Sequence, residues 1–298
     1  PYKLHTANAL WVQKGLGLLK NYQELVRQFY GGEARNIDFS KAQKAAKMIN
    51  TWIEEKTHHK ISGFFSPESF SKLTWLVLTN AIYFKGMWEI PFDKEQTKEE
   101  EFQIHKDKKI KVPMMRLEDR ELKFQYAETE KLQLLEMPYK GDELSMLLLL
   151  PKNNDLKALE TKLTLEKLKT WKGQTKYEHV FIYLPKFIFK RKYKLHPTLS
   201  HMGMPTSFTT SADFSGIFGK LDIFIDSVLH EAFVDVNEEG TEAAAATALS
   251  DALSELLLEG PRLFTFRADH PFLFFIQERR TGNILFMGRV EEPVFEAK

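Results

Sequence analysis

The sequence predicts an α+β fold built around extended sheets, and three observations lead there. Strand-type runs of β-branched, aromatic and leucine residues recur from end to end: ANALWVQ (7–13), KLTWLVLTNAIYF (72–84), ELSMLLLLP (143–151), HVFIYLPKFIF (179–189), HPFLFFIQ (270–277) and NILFMGRV (283–290). Several of these runs are apolar without alternation, which predicts strands buried on both faces. Helical periodicity, in contrast, is clear in two places: KAQKAAKMINTWIEEKTHHK (41–60) and the segment from Leu156 to Trp171.

Taken in order, the first helix sets Ala45, Met48, Ile49, Trp52 and Ile53 on one stripe, and the second does the same with Leu159, Leu163 and Leu168. The last two strands are joined by ERRTG (278–282), short and containing Gly282, and read as a hairpin. No linker rich in Pro, Gly or Ser divides the 298 residues, so one domain over 1–298 is expected. No internal repeat is visible.

Composition excludes several classes. Forty-two basic against 41 acidic residues leave a net charge of +1, so no overall field points to nucleic acid or an anionic membrane. The absence of cysteine removes disulfides, thiolate metal sites and cysteine nucleophiles, while leaving extracellular and cytoplasmic locations both open. No stretch reaches the roughly 18 uncharged apolar residues of a membrane helix.

Catalytic signatures are mostly missing. Gly15-Leu16-Gly17 continues into Leu18, Leu19 and Lys20, so the dinucleotide fingerprint lacks its third glycine, and there is no phosphate-binding loop. His230-Glu231 opens like a zinc-protease motif, but Val234 stands where the second histidine belongs. His58-His59 reads as a solvated helix end, and FKRKYK (189–194) as a solvated strand. No metal, cofactor or catalytic residue is expected.

One segment does not fit the strand pattern: EEGTEAAAATALSDALSELLLEG, residues 238–260. By local physics it is a helix. Alanine has the highest helix propensity, Leu249, Leu253, Leu256 and Leu257 fall on one side, and Gly260-Pro261 is a stop signal. A scaffold that docks helix 241–258 in a partner's groove would use that stripe.

The run Glu238-Glu239-Gly240-Thr241-Glu242-Ala243-Ala244-Ala245-Ala246-Thr247-Ala248 also resembles the hinge of the reactive-centre loop of an inhibitory serpin. Further segments follow that family's order: ANALWVQ, LTNAIYFKGMWEIPF (78–92), VPMM (112–115), ADFSGI (212–217), VLHEAFVDVNEEGTEAAAA (228–246), HPFLFFI (270–276) and LFMGRVEEP (285–293). The resemblance implies a serpin fold with a large central mixed sheet, further sheets and packed helices, and a reactive-centre loop over 238–262. It implies a protease inhibitor in which the cleaved loop enters the sheet as a new strand.

The loop residues suit such an entry. Gly240 gives a hinge backbone freedom, and Thr241, Ala243, Ala245 and Thr247 are small at alternate positions, where strand geometry would turn them inward. Counting along the loop as the family does places the reactive bond at Ser254-Glu255, with Leu253, Leu256 and Leu257 as neighbouring specificity candidates. No Lys or Arg lies between Thr241 and Gly260, which favours elastase-like or chymotrypsin-like targets over trypsin-like ones. The resemblance makes Asn80 and His230 a polar pair holding the sheet shut, and Trp88 the tryptophan near the end where insertion begins. A non-inhibitory serpin, acting as carrier, chaperone or storage protein, is the alternative within the family. Members of the family begin with helices that have no counterpart here. An N-terminal fragment is therefore an expected partner, and the chain alone is expected not to be a soluble monomer.

Overall fold

The computed structural model describes residues 2–219, 223–241 and 262–295. Its elements run β1 (Lys3–Gln13), α1 (Lys20–Tyr30), β2 (Glu33–Ile37), α2 (Ala42–Lys56), β3 (Leu76–Met87), β4 (Lys98–His105), β5 (Lys108–Leu117), β6 (Lys123–Glu128), β7 (Leu132–Pro138) and β8 (Leu144–Pro151). There follow α3 (Leu156–Lys162), α4 (Leu165–Gly173), β9 (Lys176–Pro185), β10 (Phe187–Lys194), α5 (His196–His201), α6 (Ser215–Phe218), β11 (Ser227–Asn237), β12 (Gly240–Thr241), β13 (Leu263–Arg267), β14 (Phe272–Glu278) and β15 (Ile284–Val290). Two compact units divide the chain, one of Lys85–Ile188 with Asp235–Lys298 and the first residues, the other of Leu4–Phe84 with Phe189–Val234.

In the unit containing Leu4–Phe84, β1 pairs in parallel with β2, and residues 77–83 of β3 pair in parallel with residues 227–233 of β11. Helix α2 turns Ala45, Ile49, Trp52 and Ile53 into the core. Trp52 meets Trp11 of β1 edge-on at 5.3 Å, which ties helix to strand, and Trp11 Nε1 donates to Thr79 Oγ1 of β3 at 3.0 Å, which ties β1 to β3. Met48, expected on the same stripe, is instead 47% exposed. The buried stripe is narrower than the apolar one, and a flexible thioether tolerates solvent at its edge. A second cluster, Leu10, Val12, Leu76, Phe208, Phe218, Ile223, Ile225 and Val228, fills the space under the loops that follow α5. Each fully buried side chain of this kind stabilises by about 1.5–3 kcal/mol.

The other unit holds a sheet of order β15-β14-β8-β7-β6-β9-β5-β4, with β13 paired to β9. The final hairpin is present, Phe272 facing Val290 and Phe275 facing Met287. Every residue of β8 is buried, as its unbroken apolar run predicts. Leu134, Leu149 and Leu273 stand side by side across three strands and pack against Leu156, Leu159 and Leu168. The helix expected from Leu156 to Trp171 is two helices, because each has its own N-cap: Asp155 accepts from Ala158 N at 2.9 Å and Thr164 from Lys167 N at 3.2 Å. Side-chain oxygens at both positions satisfy first-turn amides and make a break at Leu163 inexpensive. HVFIYLPKFIF is likewise two strands, β9 and β10, divided at Lys186.

Candidate functional site: a hinge strand and a polar clasp

The chain reaches the hinge along β11. Residues 227–233 of that strand lie directly beside β3, but Val236 and Asn237 pair instead with Thr241 and Gly240 of β12. The same two residues of β12 pair on their other side with Gly86 and Met87 of β3. Both ladders of β12 are antiparallel, so two residues after a turn at Glu238-Glu239 already stand as a strand with a neighbour on each side.

Glycine at 240 is required by both backbone and space. Its φ is 142°, a region L-residues rarely enter, and a Cβ there would fall 2.2 Å from Gly86 O. Thr241 is 0% exposed, and its Oγ1 shares a hydrogen bond of 2.9 Å with Tyr139 Oη. Burial pushes the Tyr139 hydroxyl well above its ordinary range, the Thr241 bond acting the other way, so the phenol stays neutral. Trp88 stacks flat on Tyr139 with centroids 4.6 Å apart, and its Nε1 donates to Asn237 O at 3.0 Å. Its backbone N donates to Glu239 O at 3.0 Å. Trp88 therefore holds the chain on either side of Glu238.

The two glutamates of the turn have different surroundings. Glu238 is 4% exposed, yet Lys186 Nζ stands 2.9 Å from Oε2 and Thr97 Oγ1 donates to Oε1 at 2.9 Å. Burial alone would raise its carboxyl pKa. The Lys186 bond, its own backbone and Thr97 outweigh that and hold it below the usual carboxylate range. Phe92 N donates to Glu238 O at 2.8 Å, so side chain and backbone are both fixed. Glu239 pairs with the exposed Lys94. A buried ion pair of the first kind is sensitive to losing one partner, at about 3–5 kcal/mol.

In the other unit, Asn80 of β3 faces His230 of β11 in the parallel register. His230 Nδ1 donates to Asn80 Oδ1, and Asn80 Nδ2 donates to Asn8 Oδ1 of β1. One amide thus joins three strands by side chains alone. Tyr193 of β10 lies nearly parallel to the His230 ring at 6.1 Å. Burial lowers the His230 pKa, against a smaller opposite effect from Asn80, so the ring is neutral with its proton on Nδ1.

The structure thus brings Glu238, Glu239, Gly240, Thr241 and Trp88 together, and Asn80 with His230 separately. Ala243, Ala244, Ala245, Ala246, Thr247, Ser254 and Glu255 lie outside the described residues, as does helix 241–258 beyond its first residue. Sequence reasoning missed Tyr139, Thr97 and Lys186, which sit in ordinary strand and turn contexts. It also missed Asn8, whose place in ANALWVQ, on a strand that borders β3, was the available signal.

A strand of two residues is thus paired on both sides, and a histidine–asparagine contact spans two parallel strands. Residues 1–293 match the family described as serpin (serine protease inhibitor), and the chain belongs to that family. It is 42% identical over 297 residues to an uncharacterized serpin-like protein of Methanosarcina acetivorans, covering 99% of this chain and 69% of that one. It is 40% identical to the leukocyte elastase inhibitor of Bos taurus, over 98% of this chain and 78% of the relative. Among solved structures, Serpin48 of the insect Tenebrio molitor superposes with a TM-score of 0.86 at 34% identity, over 98% of this chain and 76% of that one. The expected α+β serpin fold is therefore present.

Proposed function

We propose that this chain inhibits serine proteases as a suicide substrate, with cysteine proteases as a second target class, and that residues 238–262 of a single serpin domain are its bait loop. The protease hydroxyl attacks the Ser254 carbonyl, the Ser254-Glu255 amide breaks, Glu255 leaves with a new amino terminus, and Ser254 remains ester-linked to the enzyme. Released at one end, residues 242–254 extend β12 between β3 and β11, carrying the acylated protease with them before water can free it. The chain is consumed in one turnover and is no catalyst.

The observation that carries this reading is the double pairing of Gly240 and Thr241, with the direction and register a longer inserted strand would continue. Strand alternation gives Ala243, Ala245 and Thr247 the inward side that Thr241 already occupies. Each further residue adds backbone hydrogen bonds worth about 0.5–1.5 kcal/mol net, so full insertion releases on the order of 10 kcal/mol. Asn80 and His230 hold β3 and β11 together until the entering strand replaces their bond, and Trp88 with Tyr139 grips the entry point. The lack of Lys and Arg between Thr241 and Gly260, together with the similarity to a leukocyte elastase inhibitor, supports an elastase-like or chymotrypsin-like target.

Incubation with pancreatic elastase, chymotrypsin and a cathepsin, followed by denaturing electrophoresis, tests the proposal. A complex with the mass of the protease plus residues 1–254 that survives denaturant is expected. Loop cleavage with no such complex for any enzyme would refute inhibition by trapping.

A further inference from the structure

Two histidines outside the hinge and clasp are placed in an unusual way. Helix α2 ends at Lys56, and the chain then passes through two successive left-handed residues, His58 at φ 50° and His59 at φ 62°. Such conformations are uncommon for residues with a side chain, and a consecutive pair without glycine more so. The turn is fixed from beneath: Thr57 Oγ1 donates to Ile53 O at 2.8 Å and accepts from Ile61 N at 3.3 Å, while His59 N donates to Glu54 O at 2.7 Å. The backbone path brings the His58 ring over β1, where Nε2 lies 3.1 Å from His5 Nδ1. The rings meet edge-on at 4.2 Å, and His5 is itself held by a parallel stack on Tyr83 of β3 at 5.3 Å.

We propose that His5 and His58 form a two-histidine site for a borderline divalent metal ion, Zn2+ being the probe of choice, which joins β1 to the turn after α2. The separation supports it. Metal–imidazole bonds of about 2.0–2.1 Å that enclose an angle of about 100° put the two nitrogens about 3.1 Å apart, between square-planar and tetrahedral geometry. The ion can thus replace the single proton that the two nitrogens now share, after small ring rotations and with no movement of the backbone. The Tyr83 stack and the fixed turn supply the orientation that a metal ligand needs from its surroundings. Among the described residues no group of three or more histidine, cysteine or acidic ligands is assembled, so water completes the shell. His59 on the same turn is not part of the pair. The proposal is independent of the protease reading, since it concerns the uncleaved chain and an inorganic ion.

Calorimetric titration of the chain with Zn2+ and Ni2+ at neutral pH tests it, with thermal unfolding in the presence and absence of the ion as second readout. His5→Phe removes one ligand and keeps the stack on Tyr83, and His58→Asn removes the other and keeps a residue that tolerates the left-handed backbone. Loss of an outer-shell partner alone weakens metal sites about 10–100-fold, so loss of a ligand should reach at least the lower figure. Expected are one ion per chain in this component, weakening of at least about tenfold by either variant, no change in His59→Asn, and a metal-dependent rise in unfolding midpoint that both variants abolish. Equal binding by wild type and His58→Asn, dependence on His59, or no uptake of either ion would overturn the proposal.

Discussion

Replacing Gly240 by alanine tests the hinge strand at its most constrained point. The added Cβ would lie 2.2 Å from Gly86 O, 2.6 Å from Met87 Cα and 2.8 Å from Trp88 N. All three obstacles are backbone atoms, so no rotamer change relieves them. Carbon contacts become comfortable near about 3.5 Å, and the closest approach is short of that by more than about 1 Å. The backbone itself, at φ 142°, adds about 1–3 kcal/mol for any residue but glycine. The variant can instead release β12, which leaves the fully buried Tyr139 hydroxyl without Thr241, at about 1–3 kcal/mol, and opens ladder bonds of about 1 kcal/mol each. The molecule takes the cheaper route, and either amounts to about 2–4 kcal/mol. For a chain of this size the unfolding midpoint should fall by about 3–6 °C. Differential scanning calorimetry measures it, and tryptophan fluorescence identifies the route, because release of β12 loosens the contacts that hold Trp88. A midpoint within about 1 °C of wild type, with unchanged emission, would refute the account of the hinge.

Thr241→Arg places a long cation where the native side chain is fully buried, so insertion should stall and proteases should cleave the loop without being trapped; the ratio of complex to cleaved product on denaturing gels measures this. Asn80→Ala leaves both His230 and Asn8 without their partner and should lower stability by about 1–3 kcal/mol in denaturant titration. Lys186→Met strands the carboxylate of Glu238 and should destabilise by about 3–5 kcal/mol, with Lys186→Met/Glu238→Gln recovering part of the loss. Because burial depresses the His230 pKa below 6.5, the folded state resists protonation there: stability is full above that pH and declines as pH falls through it. His230→Gln should flatten the slope of unfolding midpoint against pH below about 6.5, and an unaltered slope would contradict a buried neutral imidazole.

The strands were legible because their cause is local: unbroken apolar runs such as LSMLLLLP can be buried on two faces and little else. Boundaries were less so. Nothing in the periodicity of 156–171 announced that Thr164 would cap a second helix, and Pro185-Lys186 divides what reads as one run. Helix α1 was missed: it fully buries none of its residues, Phe29 and Tyr30 are 70% exposed, and its core contact is partial, with half-buried Tyr22 packed against the cluster of Leu10 and Val12. At the site, Gly240 and Thr241 were legible through residue size, and Asn80, His230 and Trp88 through resemblance. Tyr139 and Lys186 were not, since a hydrogen-bond partner more than 50 residues away leaves no local pattern. Thr241 shows the converse: helix 241–258 is the local preference of the sequence, yet at its first residue two flanking strands supply backbone partners on both sides and a strand forms.

The central claim is that the sheet gains a strand from the cleaved loop, and the thermal stability of the chain before and after cleavage between Thr241 and Gly260 measures it most directly. Insertion predicts that the cleaved protein, its two fragments still associated, unfolds at least about 10 °C above the intact one, in line with a gain on the order of 10 kcal/mol. A cleaved protein that unfolds at or below the temperature of the intact chain would contradict it.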